Sequence, residues 1–144
     1  MARISESIDI KATPRAVFQY VWDARNLPHF FPTSRIEILE SSESRVKVRH
    51  DFSLLGKTLE LVCVREAHGG GRSITFRAEE GMALEGTWTF QELKGGARVN
   101  YIMDYQLPKS MQPKLFGAGK TEKDMQAVCA SCVQRLKQAI EAQA

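Results

Sequence analysis

The chain has 144 residues, 43% hydrophobic and 26% charged, with twenty basic against seventeen acidic side chains and a formal net charge of +3. At about 150 residues per domain, residues 1–144 read as one domain that buries roughly 70% of its unfolded surface without disulfide or metal staples. That balance excludes disorder and the small stapled scaffolds, and no nucleic-acid partner is expected, because residues 37 to 80 interleave seven Lys/Arg with eight Asp/Glu.

The first strand places Ile4, Ile8 and Ile10 on one parity, with Glu6 among them, and Ser5, Ser7, Asp9 and Lys11 on the other. The opening residues Met1 to Glu6 carry no apolar core of a signal peptide, and no apolar run approaches the ~18 residues of a membrane span, so a cytoplasmic location is expected. Thr13-Pro14 then opens a helix, with a hydroxyl N-cap and proline in the first helical position, followed by Val17, Phe18, Tyr20, Val21 and Trp22 at helical spacing. A second helical turn is predicted from Asn26 to Phe31, ended by Pro32.

From Ser34 the pattern becomes a meander of strands near 34–40, 44–54, 57–67, 72–80, 84–93 and 97–107, punctuated by Ser and Gly turns. Joins this short require antiparallel neighbours. Val46, Val48, His50 and Phe52 oppose Lys47, Arg49 and Asp51; Trp88 and Phe90 oppose Thr87 and Thr89; Val99, Tyr101, Met103, Tyr105 and Leu107 oppose Asn100, Asp104 and Gln106. One face is therefore apolar and one wet, with Arg45, Lys47 and Arg49 sharing the exposed side.

Gly117-Ala118-Gly119-Lys120-Thr121 imitates the end of a phosphate-binding loop, but Lys114 occupies the required first glycine position and no parallel βαβ unit surrounds it. It reads instead as a hinge able to gate a cavity. Thr121 to Asp124 resembles a capping box, and Met125, Cys129, Cys132, Leu136 and Ile140 form an apolar stripe beyond it. A helix over 121–142 would reach roughly 33 Å, long enough to lie across a seven-stranded sheet.

The three cysteines, Cys63, Cys129 and Cys132, cannot all pair in one chain and suit a reducing compartment. Cys129 and Cys132 form a C-x-x-C inside a helical pattern, with no second pair or nearby His to complete a zinc site, so they read as a buried helix face. Neither a metal nor a cofactor is expected.

The large side chains Phe52, Phe76, Trp88, Phe90, Tyr101, Met103 and Tyr105 thus face a helix whose stripe contains small residues. Small residues permit either close helix approach or an apolar cavity with a few polar anchors, and periodicity does not separate the two.

The order of elements resembles the START-type, or polyketide cyclase/dehydrase, superfamily. The resemblance rests on Ile8-Asp9-Ile10-Lys11-Ala12-Thr13-Pro14, on Val17-Phe18 with Asp23 and Pro28 before Phe30-Phe31-Pro32, on Gly86-Thr87-Trp88-Thr89-Phe90, and on Gly95-Gly96-Ala97-Arg98-Val99 before Tyr101 and Tyr105. The stretch from Gly81 to Phe90 is also similar to the coenzyme Q-binding subgroup. Where that subgroup's last helix tends to carry an aromatic followed by Arg, this chain reads Cys132-Val133-Gln134-Arg135-Leu136. The resemblance implies an α+β helix-grip fold: a curved seven-stranded antiparallel sheet, two short helices after the first strand, and a long C-terminal helix across the concave face.

It also implies binding of a small hydrophobic or amphipathic molecule, such as a lipid, quinone or polyketide, between sheet and helix. Candidate lining residues are His50, Phe52, Phe76, Trp88, Phe90, Tyr101, Met103, Tyr105, Cys129 and Cys132. Such a site needs roughly 300 Å³, and an interior with no cavity beyond about 100 Å³ would count decisively against it. The alternatives are a cyclase or dehydratase using His50, Tyr101 or Glu6 for proton transfer, and a protein-interaction module presenting the sheet or the Phe30-Phe31 loop. His29 is a candidate for the cavity mouth, whereas Asp104 and His68 read as solvated. Transient membrane contact is compatible with the binding reading.

Overall fold

The computed structural model describes residues 1–54, 56–109 and 118–143, with side chains of the last segment from Glu122 onward. Strands β1 (Ala2–Ile10), β2 (Ile36–Ser41), β3 (Arg45–Leu54), β4 (Lys57–His68), β5 (Ser73–Glu80), β6 (Ala83–Leu93) and β7 (Gly96–Gln106) form one antiparallel sheet in the order β1-β7-β6-β5-β4-β3-β2. The meander runs strand to neighbouring strand, and β1 closes it by pairing with β7, Ile4 opposite Met103 and Ile8 opposite Val99. Helix α1 (Pro14–Trp22) and a 3-10 helix (Ala24–His29) follow β1, and α2 (Ala118–Glu141) ends the fold. This is the helix-grip architecture expected from the sequence.

Local chemistry accounts for the helix starts. Thr13 Oγ1 accepts from the Ala16 amide at 3.1 Å and Pro14 sits in the first turn, so α1 begins with one of its orphan donors satisfied. The second helical turn is a 3-10 helix two residues earlier than periodicity suggested, because the Asp23 carboxylate accepts from the Arg25 amide at 3.1 Å and fixes its start there. Helix α2 is already under way at Ala118, so the box at Thr121 does not mark its beginning and residues 118–121 are helix where a hinge was expected. Gly117 lies outside the described residues.

Two expectations about the layers need correction. Strand β4 is buried on both faces, since Val62 and Val64 are as enclosed as Leu61, Cys63 and Arg65 on the opposite side. Their cross-strand neighbours are Arg49 for Val62, and Lys47 and Arg77 for Val64. The aliphatic stems of these cations cover the valines while their charged ends meet carboxylates, Lys47 with Glu79 at 3.5 Å and Arg49 with Glu37 and Glu60 at 3.0 Å each.

Nor does α2 lie evenly over the sheet: its backbone comes close to β1, with lesser approaches to β7 and the 3-10 helix. Lys137 Nζ donates to the Asp9 carbonyl at 2.9 Å and Glu141 accepts from the Lys11 amide at 3.0 Å, which ties the end of α2 to the end of β1. At the other border, Arg135 donates to the Pro28 carbonyl at 3.0 Å. The middle of the concave face is therefore left to α1, the 3-10 helix and the segment after it.

Candidate functional site

Beneath the 3-10 helix an apolar pocket sits on the centre of the concave face. Its roof is Leu27, Phe30 and Phe31; its floor is Val48 and His50 of β3, Cys63 and Arg65 of β4, Phe76 of β5, Leu84 and Trp88 of β6, and Tyr101 of β7. The cross-strand register assembles that floor, pairing Val48 with Cys63, Arg65 with Phe76, and Trp88 with Tyr101.

The pocket holds about 40 Å³. One water-sized sphere needs ~10–15 Å³, so this is room for a few waters and not for a lipid or a polyketide. Of the two alternatives left open by the sequence, the filled one holds for this pocket: it falls below about 100 Å³, which counts against a ligand held here without rearrangement, because aromatic rings occupy the space. Phe30, 1% exposed, meets Trp88 edge-on at 5.9 Å, and Phe31 tilts onto Phe52 at 5.3 Å while meeting His50 edge-on at 5.8 Å. Trp88 stacks on Tyr101 at 4.1 Å, and Phe76 lies 5.9 Å from the same tyrosine. Because Phe30 and Phe31 are buried, the expectation that this loop offers exposed aromatics to a partner protein also fails.

Three polar groups interrupt the apolar lining. Arg65 is 4% exposed and donates to the Trp22 carbonyl at 2.8 Å and to the Val21 carbonyl, the last acceptors of α1, with Trp22's ring 5.6 Å from its guanidinium carbon. Burial pulls its pKa down to about 10, with Cys63 and Asp23 acting in the opposite sense, so it remains a cation at neutral pH. A guanidinium carries five N–H donors, and the two carbonyls engage only part of that capacity.

His50 is buried in the same pocket, opposite Leu61 in the register and four residues along the strands from the Arg65 level. The ring's Nδ1 lies 2.8 Å from the Asp51 carbonyl, which can only accept, so Nδ1 carries the proton and Nε2 is a free acceptor. Burial lowers the His50 pKa, with Arg65 adding to the effect and Asp51 opposing it. The folded imidazole therefore takes up its proton at lower pH than the unfolded one, whose value is about 6.5. Its contribution to stability is complete above pH ~6.5 and is lost as the pH falls through the folded value. Melting temperatures should decline on acidification from about pH 7.5 to 5, and His50→Gln should flatten part of that slope; parallel slopes would remove His50 from the account.

Tyr101 supplies the third group. Burial raises its phenol well above the ordinary value, with Cys132, Cys129 and Cys63 adding to the shift, and its hydroxyl donates to Met103 Sδ at 3.4 Å. A thioether is a weak acceptor, so that proton is available to a better one. The three cysteines are unpaired and buried, and burial pushes the Cys63 and Cys129 thiols up to about 12 and Cys132 higher still. Thiolate chemistry is thereby suppressed at neutral pH. Among the described residues no group of three His, Cys, Asp or Glu is placed to hold a metal ion, and no helix is long and apolar enough to cross a membrane.

Of the residues singled out from the sequence, His50, Phe76, Trp88 and Tyr101 meet in this pocket. Phe52 backs Phe31, Phe90 packs edge-on against Phe18 at 6.0 Å, and Met103, Tyr105, Cys129 and Cys132 fill the core beside it. Glu6 is half-buried in β1, opposite Tyr101 in the register and near enough to Cys129 to raise its pKa. His29 sits over Tyr20, its Nδ1 2.7 Å from the phenol oxygen. Asp104 pairs with Arg3 at 2.8 Å on the convex face, and His68 Nε2 lies 2.8 Å from Thr75 Oγ1.

Arg65 was missed, although a signal existed. Leu61, Cys63 and Arg65 share a parity, so a charged residue stood on the inward face of a strand.

The profile of the family described as polyketide cyclase/dehydrase and lipid transport matches residues 1–141. No curated protein matches the sequence significantly. Among solved structures, TTHA0849 from Thermus thermophilus superposes with a TM-score of 0.86 at 23% identity over 99% of both chains. The Zhui aromatase/cyclase from Streptomyces sp. R1128 gives 0.81 at 16% identity, covering 97% of this chain and 93% of that one. A STAR-related lipid transfer protein from Xanthomonas axonopodis gives 0.76 at 16% identity, covering 96% and 85%. Likeness at these identities speaks for the shared fold.

Proposed function

The chain belongs to the polyketide cyclase/dehydrase and lipid transport family, and from that premise we propose that it binds a small, largely apolar molecule carrying a carbonyl or anionic oxygen. The apolar body would lie against Trp88, Phe76 and Leu84, with the oxygen at Arg65. The observation that carries this reading is the Arg65 cation, buried in an apolar pocket with two backbone carbonyls as its hydrogen-bond acceptors. Each terminal nitrogen already donates to a carbonyl, and the N–H donors that remain on the guanidinium leave it able to add a charge-assisted bond to a ligand oxygen. Three buried, unpaired thiols support a reducing compartment such as the cytoplasm.

A second reading, cyclisation or dehydration, draws on the same geometry. The free Nε2 of His50 is placed to accept a proton, Tyr101 to donate one, and Arg65 to hold a developing oxyanion. Turnover that survives both His50→Ala and Tyr101→Phe would sink it.

Native mass spectrometry after gentle purification tests binding itself. The expected spectrum contains protein carrying one small organic molecule with an acidic or carbonyl group. Bare protein alone, together with no fluorescence gain from 8-anilinonaphthalene-1-sulfonate, an apolar probe bearing an anionic group, would overturn the proposal.

A further inference from the structure

The closed pocket poses a definite problem: its volume of about 40 Å³ is well below what the proposed ligand needs, yet two of its three roof residues, Phe30 and Phe31, belong to neither helix nor strand. Phe30 and Phe31 belong to the segment between the 3-10 helix and β2, and this segment is fastened to the body at its two ends. At the first end, the Phe30 and Phe31 amides donate to the Leu27 carbonyl at 3.1 and 2.8 Å. At the second, one carboxylate does most of the work. Asp51 of β3 accepts from Thr33 Oγ1 at 2.5 Å, from the Ser34 amide and hydroxyl at 2.7 Å each, and from the Arg35 amide at 3.1 Å. The Ser53 amide adds a bond to the Pro32 carbonyl at 3.2 Å.

Across Phe30 from the pocket lies a second space. A groove of about 250 Å³ runs between this segment and α2, bounded by Phe30, Pro32, Asp124, Val128 and Arg135. Phe30 is the side chain that lines both spaces. A swing of that ring would join them into a volume of the order a drug-sized ligand requires.

We propose that residues 30–35 form a plug held by a latch: Phe30 and Phe31 stand in the place of the ligand's apolar body, and the Asp51 carboxylate keeps them there until the segment lifts. The inference rests on the binding reading above and adds to it how the site opens. The latch suits that task because its bonds join β3 to the chain just before β2, three of them exposed to water, where hydrogen bonds are exchanged with solvent at modest net cost. The rings supply the opposite tendency, since lifting them exposes apolar surface that an incoming apolar molecule covers again. The resting state is thus closed and dry, and occupancy replaces one set of apolar contacts with another. A protein whose competent state is only fractionally populated binds more weakly by that fraction, so loosening the latch should tighten apparent binding.

The test uses stopped-flow mixing of the full chain with 8-anilinonaphthalene-1-sulfonate. Asp51→Asn, which keeps the side chain's size and removes its charge, should speed association about tenfold and leave dissociation within about twofold. The complementary variant pairs Ser34→Cys with Asp51→Cys, whose parent side chains are in contact at 2.7 Å. Oxidised, it should bind the probe at least tenfold more slowly than wild type, and reduction, which frees a segment that no longer has the Asp51 carboxylate, should raise the rate to about that of Asp51→Asn. Circular dichroism and melting curves verify that each variant is folded, and the redox pair provides its own control within one molecule. Equal association rates in wild type, Asp51→Asn and the oxidised lock would overturn the plug and leave binding intact. No binding by any of the proteins would overturn both readings.

Discussion

Arg65→Met should leave the protein folded and weaken binding of 8-anilinonaphthalene-1-sulfonate by about 10- to 100-fold. Hydrogen bonds to a charged group contribute roughly 1.5–3 kcal/mol, and each 1.4 kcal/mol is tenfold in affinity. Stability is governed by two opposing terms. Loss of the guanidinium strands the Val21 and Trp22 carbonyls at the end of α1, while it also removes a buried charge whose burial is itself unfavourable. Methionine fills much of the same volume, so the melting temperature should move by only about 5 °C, the equivalent of one or two kcal/mol. Arg65→Lys should not restore the probe, since an ammonium does not reproduce the planar fork that spans two carbonyls and an incoming oxygen. A methionine variant that binds the probe as tightly as wild type would reduce Arg65 to a cap on α1.

A large loss of stability is expected from Gly86→Ala, in the middle of β6. A Cβ there would stand 2.2 Å from the Ile102 carbonyl oxygen of β7 and 2.4 Å from the tip of the Phe76 ring. Phe76 is its cross-strand partner on β5 and lies over the glycine, which is how the ring comes to face Tyr101 and line the pocket. Side chains can shift, but the backbone oxygen of a paired central strand has little freedom to do so. Overpacking of this kind costs ~3 kcal/mol, or a fall of ~10 °C in melting temperature for a domain of this size. Adding Phe76→Leu should recover only part of the loss, because it relieves the ring and leaves the carbonyl contact in place. A melting temperature within about 2 °C of wild type would show that the strand pair accommodates the methyl group after all.

Much of the fold could be read from the chain, for a reason that Gly86 illustrates. Its neighbours Trp88 and Phe90 alternate with Thr87 and Thr89, and that alternation depends only on the covalent geometry of an extended backbone. The glycine turns, the Thr13 cap and the inward parity of His50 and Tyr101 are equally local. Periodicity also set apart two of the pocket's three polar groups. It passed over the third, Arg65, because an arginine in a strand reads as a surface residue unless its buried partners are known, and these lie more than forty positions away at Val21 and Trp22.

The state of the pocket belongs to the same class of question. Parity says that Trp88, Phe76 and Tyr101 point inward but is silent on what they meet. Phe30 and Phe31 lie within the predicted helical turn but just past the end of the 3-10 helix, and their burial follows from long-range contacts to β3 and β6. A cavity is the small remainder between surfaces contributed by distant parts of the chain, so no local pattern determines its volume. The sequence by itself determined the order of strands and helices, the apolar face and the aromatic content of the interior. Only the tertiary structure decided that α2 favours the β1 side, that an arginine charge lies beneath the rings, and that two phenylalanines close the space between them.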